Sequence, residues 1–180
     1  MTSGVPAVYM DACCFIDSVK VDVSAKLEDG RENEVWYIKK LLQAHRDREV
    51  IVYTSALTIA EALHVGVSPV PDDVQRALDA LLTSGQYVHL VQPTPFICMD
   101  ARNLRWVDQI NLRGADGVHL ASAIEMKCVE FLTMNGRFSR LDEYSGALSG
   151  KGVNVRTPSQ TSSLPGRYLQ KDMLDDAKVH

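Results

Sequence analysis

No run of apolar residues in this chain is longer than five, Ala12 to Ile16, whereas a helix crossing a bilayer needs about 20. A membrane role is therefore not expected. The opening residues, MTSGVPAVYMD, carry no basic leader and meet Asp11 within the first apolar stretch. No secretory signal is expected from them, and the expected location is the cytoplasm. Cysteine is scarce: Cys13, Cys14, Cys98 and Cys128 include an adjacent pair and no C-x-x-C spacing. That count argues against a disulfide scaffold, a zinc knuckle or a redox motif, and favours buried free thiols. The five His are scattered and form no metal-binding pair. Eleven Gly and seven Pro are too few for a collagen-like or Pro-rich chain. Positive charge is short as well, with 19 Lys and Arg against 23 Asp and Glu. The resulting formal charge of −4 disfavours a broad nucleic-acid-coating surface, but leaves room for a focused site where a cation supplies positive charge.

What is present suits one globular domain with an extension: 180 residues, 46% of them hydrophobic and 23% charged. Residues 7–10 (AVYM) predict a buried first strand ending at Asp11, and residues 18–33 read as a polar loop with partial helix. From Glu34, Val35, Ile38, Leu41 and Leu42 recur at helical spacing, with Lys39, Lys40, Arg46 and Arg48 as a solubilising face. Residues 50–53 (VIVY) predict a second strand. Thr54 and Ser55 then cap a helix carrying Leu57, Ala60, Glu61 and His64. Another helix begins near Pro71 and carries Val74, Ala77, Leu78, Leu81 and Leu82. A third strand is expected over 87–91, then a helix from Pro95 that ends near Arg113 and Gly114. The clearest helix covers 115–127, followed by strands at 129–133 and 153–156. Trp36, Tyr37 and Trp106 read as core or dimer contacts. Strands alternating with helices imply βαβ units and an α/β fold with a mainly parallel sheet. Residues 158–165 (PSQTSSLP) read as a linker. Beyond them Leu169, Met173 and Ala177 suggest a short arm outside the core, so the expected division is a domain at 1–157 and a tail at 158–180.

In a parallel sheet, ligands sit outside the carboxyl ends of the strands. Asp11 follows the first strand, Glu61 lies on the helix after the second, Asp116 opens the clearest helix, and Asn135 follows the fourth strand. If those ends are neighbours, three carboxylates and an amide meet in one crevice. Carboxylates brought together repel, so such a cluster makes sense only with a cation. Oxygen ligands without His or Cys suit Mg²⁺ or Mn²⁺. One or two such ions can activate a water and neutralise a scissile phosphate. Each residue also has an ordinary reading. Asp11 could cap a turn, Glu61 could face solvent, Asp116 could complement a helix dipole, and Asn135-Gly136 could be a turn.

Taken together, YMDACCFID (9–17), SALTIAEALH (55–64), GADGVHLASAIE (114–125) and FLTMNGRF (131–138) resemble the four blocks of the PIN-domain nucleases. The resemblance is strongest to the VapC-type toxins of toxin–antitoxin pairs, and it covers roughly residues 7–157. It implies a PIN-like three-layer α/β/α sandwich with about five strands. It also implies a Mg²⁺- or Mn²⁺-dependent endoribonuclease, a homodimeric habit and a cognate antitoxin. Carried over residue by residue, Asp11, Glu61 and Asp116 match the metal-binding acids. Asn135 stands where many members have a fourth acid, and it is read as assisting catalysis. Cys13 stands where Asn, Ser or Thr is common, which removes a group that could orient Asp11. Asn135 brings no charge, so one tightly held ion is expected rather than two. Arg113, Arg137 and Arg140 flank the third and fourth blocks and are the basic residues expected to reach RNA phosphates. The alternatives are a PIN-like module that binds RNA or protein without cutting, and a nuclease of the same fold that is not a toxin.

Overall fold

The computed structural model describes residues 4–62, 69–112, 114–136, 138 and 145–170. Five strands form one parallel sheet: β1 (Ala7–Met10), β2 (Ile51–Ser55), β3 (His89–Val91), β4 (Glu130–Leu132) and β5 (Asn154–Arg156). Their order across the sheet is β3-β2-β1-β4-β5. From the central β1 the chain builds outward through β2 and β3, then returns to β1's other edge with β4. The order therefore reverses between β1 and β4, which is where α/β sheets open a crevice at their carboxyl ends. In register, Tyr9 lies between Tyr53 on β2 and Phe131 on β4.

Successive residues of each strand face opposite sides, so the sheet feeds two cores. Val8, Met10, Val52 and Leu132 point into one core with Phe15, Ile38, Leu41 and Leu82. Tyr9, Val91 and Phe131 point into the other with Ile97, Leu104, Leu120 and Leu148. The first core packs against α1 (Ala12–Asp22), α2 (Arg31–Arg46) and α4 (Asp72–Thr83). The second packs against α5 (Pro95–Trp106), α6 (Gly114–Glu125) and α7 (Ser145–Gly150). The short α3 (Leu57–Glu61) follows β2. This is the expected α/β/α sandwich. No described helix is long and apolar enough to cross a membrane.

Residues 18–33, expected as a loop with partial helix, hold the end of α1, a loop over 23–30 and the start of α2. α1 itself, which starts directly after Asp11 and buries Ala12, Cys14, Phe15, Asp17 and Val19, was not expected, because an almost unbroken apolar start hides the helical period there. α5 stops at Trp106, short of Arg113, and Trp106 is 69% exposed and so is no core residue. All four cysteines are free, but only Cys14 and Cys128 are buried; Cys13 is partly buried and Cys98 exposed. His64 of the second-block helix, together with Met173 and Ala177 of the tail, lies outside the described residues.

The segment read as a linker is instead a packed strap. Glu130 is buried at the start of β4 and accepts hydrogen bonds from the Thr161 hydroxyl, the Ser162 amide and hydroxyl, and the Ser163 hydroxyl. Glu34 on α2 accepts from the Ser159 amide and hydroxyl at 2.8 and 2.6 Å. Leu164 and Tyr168 are buried against the first core, and the Tyr168 hydroxyl donates to Asp47. Ser and Thr make the segment look like a spacer, yet here they are the donors that satisfy two carboxylates.

Burial alone would raise the Glu130 carboxyl, but the bonds from Thr161, Ser162 and Ser163 outweigh it and hold the group below its ordinary value. A carboxyl lowered on folding contributes stability above its unfolded pKa of about 4.3, and that contribution is lost as pH falls through the folded value. Glu130→Gln is therefore expected to cost about 1–3 kcal/mol at pH 7. Urea denaturation should show the gap to wild type narrowing below about pH 4. A gap independent of pH would contradict this assignment.

Candidate active site at the carboxyl edge of the sheet

Asp11 leaves β1 and caps α1: its Oδ1 accepts from the Ala12 amide at 2.8 Å. Its Oδ2 accepts from the Thr133 hydroxyl at 2.8 Å, just past the end of β4. The carboxylate is 4% exposed, so these bonds fix both oxygens. The Thr133 oxygen in turn accepts from the Asn135 amide at 3.1 Å. The Asn135 side chain donates from Nδ2 to Asp116 Oδ1 at 3.3 Å. The β4 loop thus ties Asp11 to Asp116 through Thr133 and Asn135. Asp116 lies in the first turn of α6, whose initial Gly114 adopts φ +53°, a left-handed value that glycine takes without steric cost. Each acid sits at a helix N-terminus, where the backbone dipole favours negative charge.

Cys13 fills the position where an orienting hydroxyl or amide was expected. Its sulfur accepts from the Met134 amide at 3.2 Å, its thiol donates to Asp11 Oδ2 at 3.4 Å, and it lies 3.4 Å from Thr133 Oγ1. Cys13 therefore still orients Asp11, weakly, beside the stronger bond from the Thr133 hydroxyl. The same loop is held from outside by Arg31, at the start of α2, which donates to the Met134 carbonyl at 2.9 Å and pairs with Asp17 at 3.2 Å.

Glu61 is placed differently. At the end of α3 its Oε2 lies 2.9 Å from His119 Nε2, and the carboxylate is 34% exposed. His119 is 1% exposed, and its Nδ1 is 2.7 Å from the Tyr9 hydroxyl. Burial, with Asp11 nearby, pushes the Tyr9 phenol well above its ordinary value, so the phenol keeps its proton. The imidazole thus bridges the phenol and the Glu61 carboxylate through its two nitrogens. Tyr9 is held in turn by stacking on Phe131, with ring centroids 5.3 Å apart.

Of the expected residues, then, the described bonds link Asp11, Asn135 and Asp116, while Glu61 is bonded to His119. Arg113, Arg137 and Arg140 lie outside the described residues. Tyr9, His119 and Thr133 are additions to the expected set. Their signal was spacing: Tyr9 precedes Asp11 by two residues on a strand, and His119 follows Asp116 by three on a helix, so each shares a face with an acid.

Among the described residues, no group of three or more His, Cys, Asp or Glu side chains is placed to hold a metal ion. Mg²⁺ commonly takes one or two carboxylates and fills its remaining positions with water. The carboxylate oxygens of Asp11 and Asp116 suit that chemistry. Thr133→Val would leave Asp11 Oδ2 and the Asn135 amide without their shared partner. It is expected to cost about 1–3 kcal/mol, with Thr133→Ser restoring most of the loss in thermal melts. A Val variant as stable as wild type would contradict the bonding described here.

No curated protein matches the chain. The family model for the PIN domain matches residues 9–144, a span that includes the last two residues of β1, all of β4 and every acid discussed above, and on that match the chain belongs to the PIN domain family.

Proposed function

We propose that this protein is a Mg²⁺- or Mn²⁺-dependent endoribonuclease and the toxin of a toxin–antitoxin pair. PIN domains are generally nucleases and usually bind divalent metals, which supports the coarser part of this reading. The observation that carries it further is the bonded set of Asp11, Thr133, Asn135 and Asp116 where the strand order reverses. RNA as substrate, a cognate antitoxin and a homodimer rest on the resemblance of the four blocks to VapC-type toxins.

Asp11 and Asp116 would hold the cation, with Glu61 at the margin of the site. When bound, a hard divalent ion lowers the pKa of a coordinated water and neutralises charge developing on a phosphodiester. The chain's own part is to hold the carboxylates still. Thr133 and the Ala12 amide fix Asp11, the Asn135 amide aims Asp116, and His119 aims Glu61. Asn135 orients without adding charge, which favours one ion over two. Arg113, Arg137 and Arg140 are proposed to contact phosphates.

A second reading is a module that binds RNA or protein without cutting. It is favoured by the neutral Asn135 and by Cys13 in place of an orienting hydroxyl or amide. Purified protein should be incubated with structured RNAs and matched DNAs in Mg²⁺, Mn²⁺ or EDTA, beside Asp116→Asn. RNA cleavage that needs metal and falls by orders of magnitude in the variant is the expected result. Asp116→Asn should melt, metal-free, at or above the wild-type temperature, because it removes a charge that Asp11 repels. Undiminished cleavage by the variant would overturn the site. Metal binding without cleavage would favour the module.

A further inference from the structure

Tyr9, His119 and Glu61 form a chain whose three members come from the three elements that carry the three acids. Tyr9 lies on β1 two residues before Asp11, and His119 lies on α6 one turn beyond Asp116. Glu61 ends α3 and is the third acid itself. We infer that His119, held by Tyr9, is a positioning residue that aims the Glu61 carboxylate at the Asp11–Asp116 site and keeps it in register with them. This deepens the metal-dependent reading above and rests on it.

The physical case is one of cost and geometry. His119 and Tyr9 are almost fully buried, among Val91, Ile97, Leu120 and Phe131. An apolar pair of similar volume would fill that space with no polar group to satisfy. The polar pair is tolerated because each of its atoms is bonded, and no described buried side-chain nitrogen or oxygen lacks a partner. A fully bonded buried network fixes one arrangement rather than several. Here the arrangement it fixes ends on a carboxylate that is one-third exposed.

The Tyr9 hydroxyl bonds Nδ1 and Glu61 Oε2 bonds Nε2, so the imidazole holds one of the two Glu61 oxygens. Glu61 sits at the very end of the short α3, so its own helix offers it little restraint. The restraint comes from α6, which also carries Asp116. Motion of α6 would therefore carry two of the three acids together. Groups that orient metal-binding carboxylates or imidazoles commonly change metal affinity by about 10–100-fold when removed.

The test is Mn²⁺ affinity, measured by titration calorimetry on the full chain, with melting temperatures taken in parallel. His119→Leu is expected to weaken Mn²⁺ binding by about 10-fold or more. His119→Gln keeps an N–H donor at the ε position and should recover most of that loss. Tyr9→Phe removes one hydroxyl and should weaken binding by a smaller factor. Combining Glu61→Gln with His119→Leu should bind no worse than Glu61→Gln alone, since His119 acts through Glu61. Wild-type affinity in His119→Leu overturns the inference. So does an affinity that follows melting temperature across the variants rather than the presence of a donor. Failure of the wild type to bind Mn²⁺ at all would instead overturn the metal-dependent reading, and this inference with it.

Discussion

Bringing Asp11 and Asp116 to one edge of the sheet sets two like charges against each other, and much of the surrounding structure answers that constraint. Each acid opens a helix, so the amide dipoles of α1 and α6 offset part of the repulsion. Asp11 is buried, and its oxygens are taken up by the Ala12 amide and the Thr133 hydroxyl. Asn135 provides a neutral donor to Asp116 where a further acid would have added charge. Neutral donors cannot remove the repulsion, however; the proposed divalent cation would, and carboxylate oxygens are hard ligands of the kind it prefers.

The same end of the molecule depends on elements distant from it in sequence. The loop from Thr133 to Gly136 is anchored from one side by Cys13 and from another by Arg31 of α2. β4, which leads into that loop, begins at Glu130, and the strap around residue 162 closes over it. Glu34 of α2 grips the same strap at Ser159. The residues after β5 are thus tied to both the sheet and the helix that brace the site.

Much of this was legible in the sequence, for reasons that differ by element. β1 and β4 are short buried strands, and AVYM and EFL announce themselves by composition. α2 and α6 show helical spacing with caps or acids where helices begin. Asp11 and Asp116 stood out because one immediately follows a strand and the other opens a helix, whereas Asn135, three residues past β4, stood out only through the FLTMNGRF block. α1 was obscured because it is buried on several sides and its first residues lack a period. The strap was obscured because Ser and Thr have the same composition in a solvated spacer as in a bonded one; only the distant Glu130 and Glu34 tell them apart. His119 was passed over for a similar reason. A His on an apolar helix face reads as core, and its bonds to Tyr9 and Glu61 span 110 and 58 residues.

The central claim is that Asp11 and Asp116 close on one divalent cation. A crystal structure of the protein grown with Mn²⁺, with anomalous diffraction collected at the manganese edge, tests it most directly. The account predicts a single strong anomalous peak at bonding distance from carboxylate oxygens of both Asp11 and Asp116, absent from crystals of Asp116→Asn. No peak at that edge of the sheet under saturating Mn²⁺, or a peak held by other residues, would contradict it.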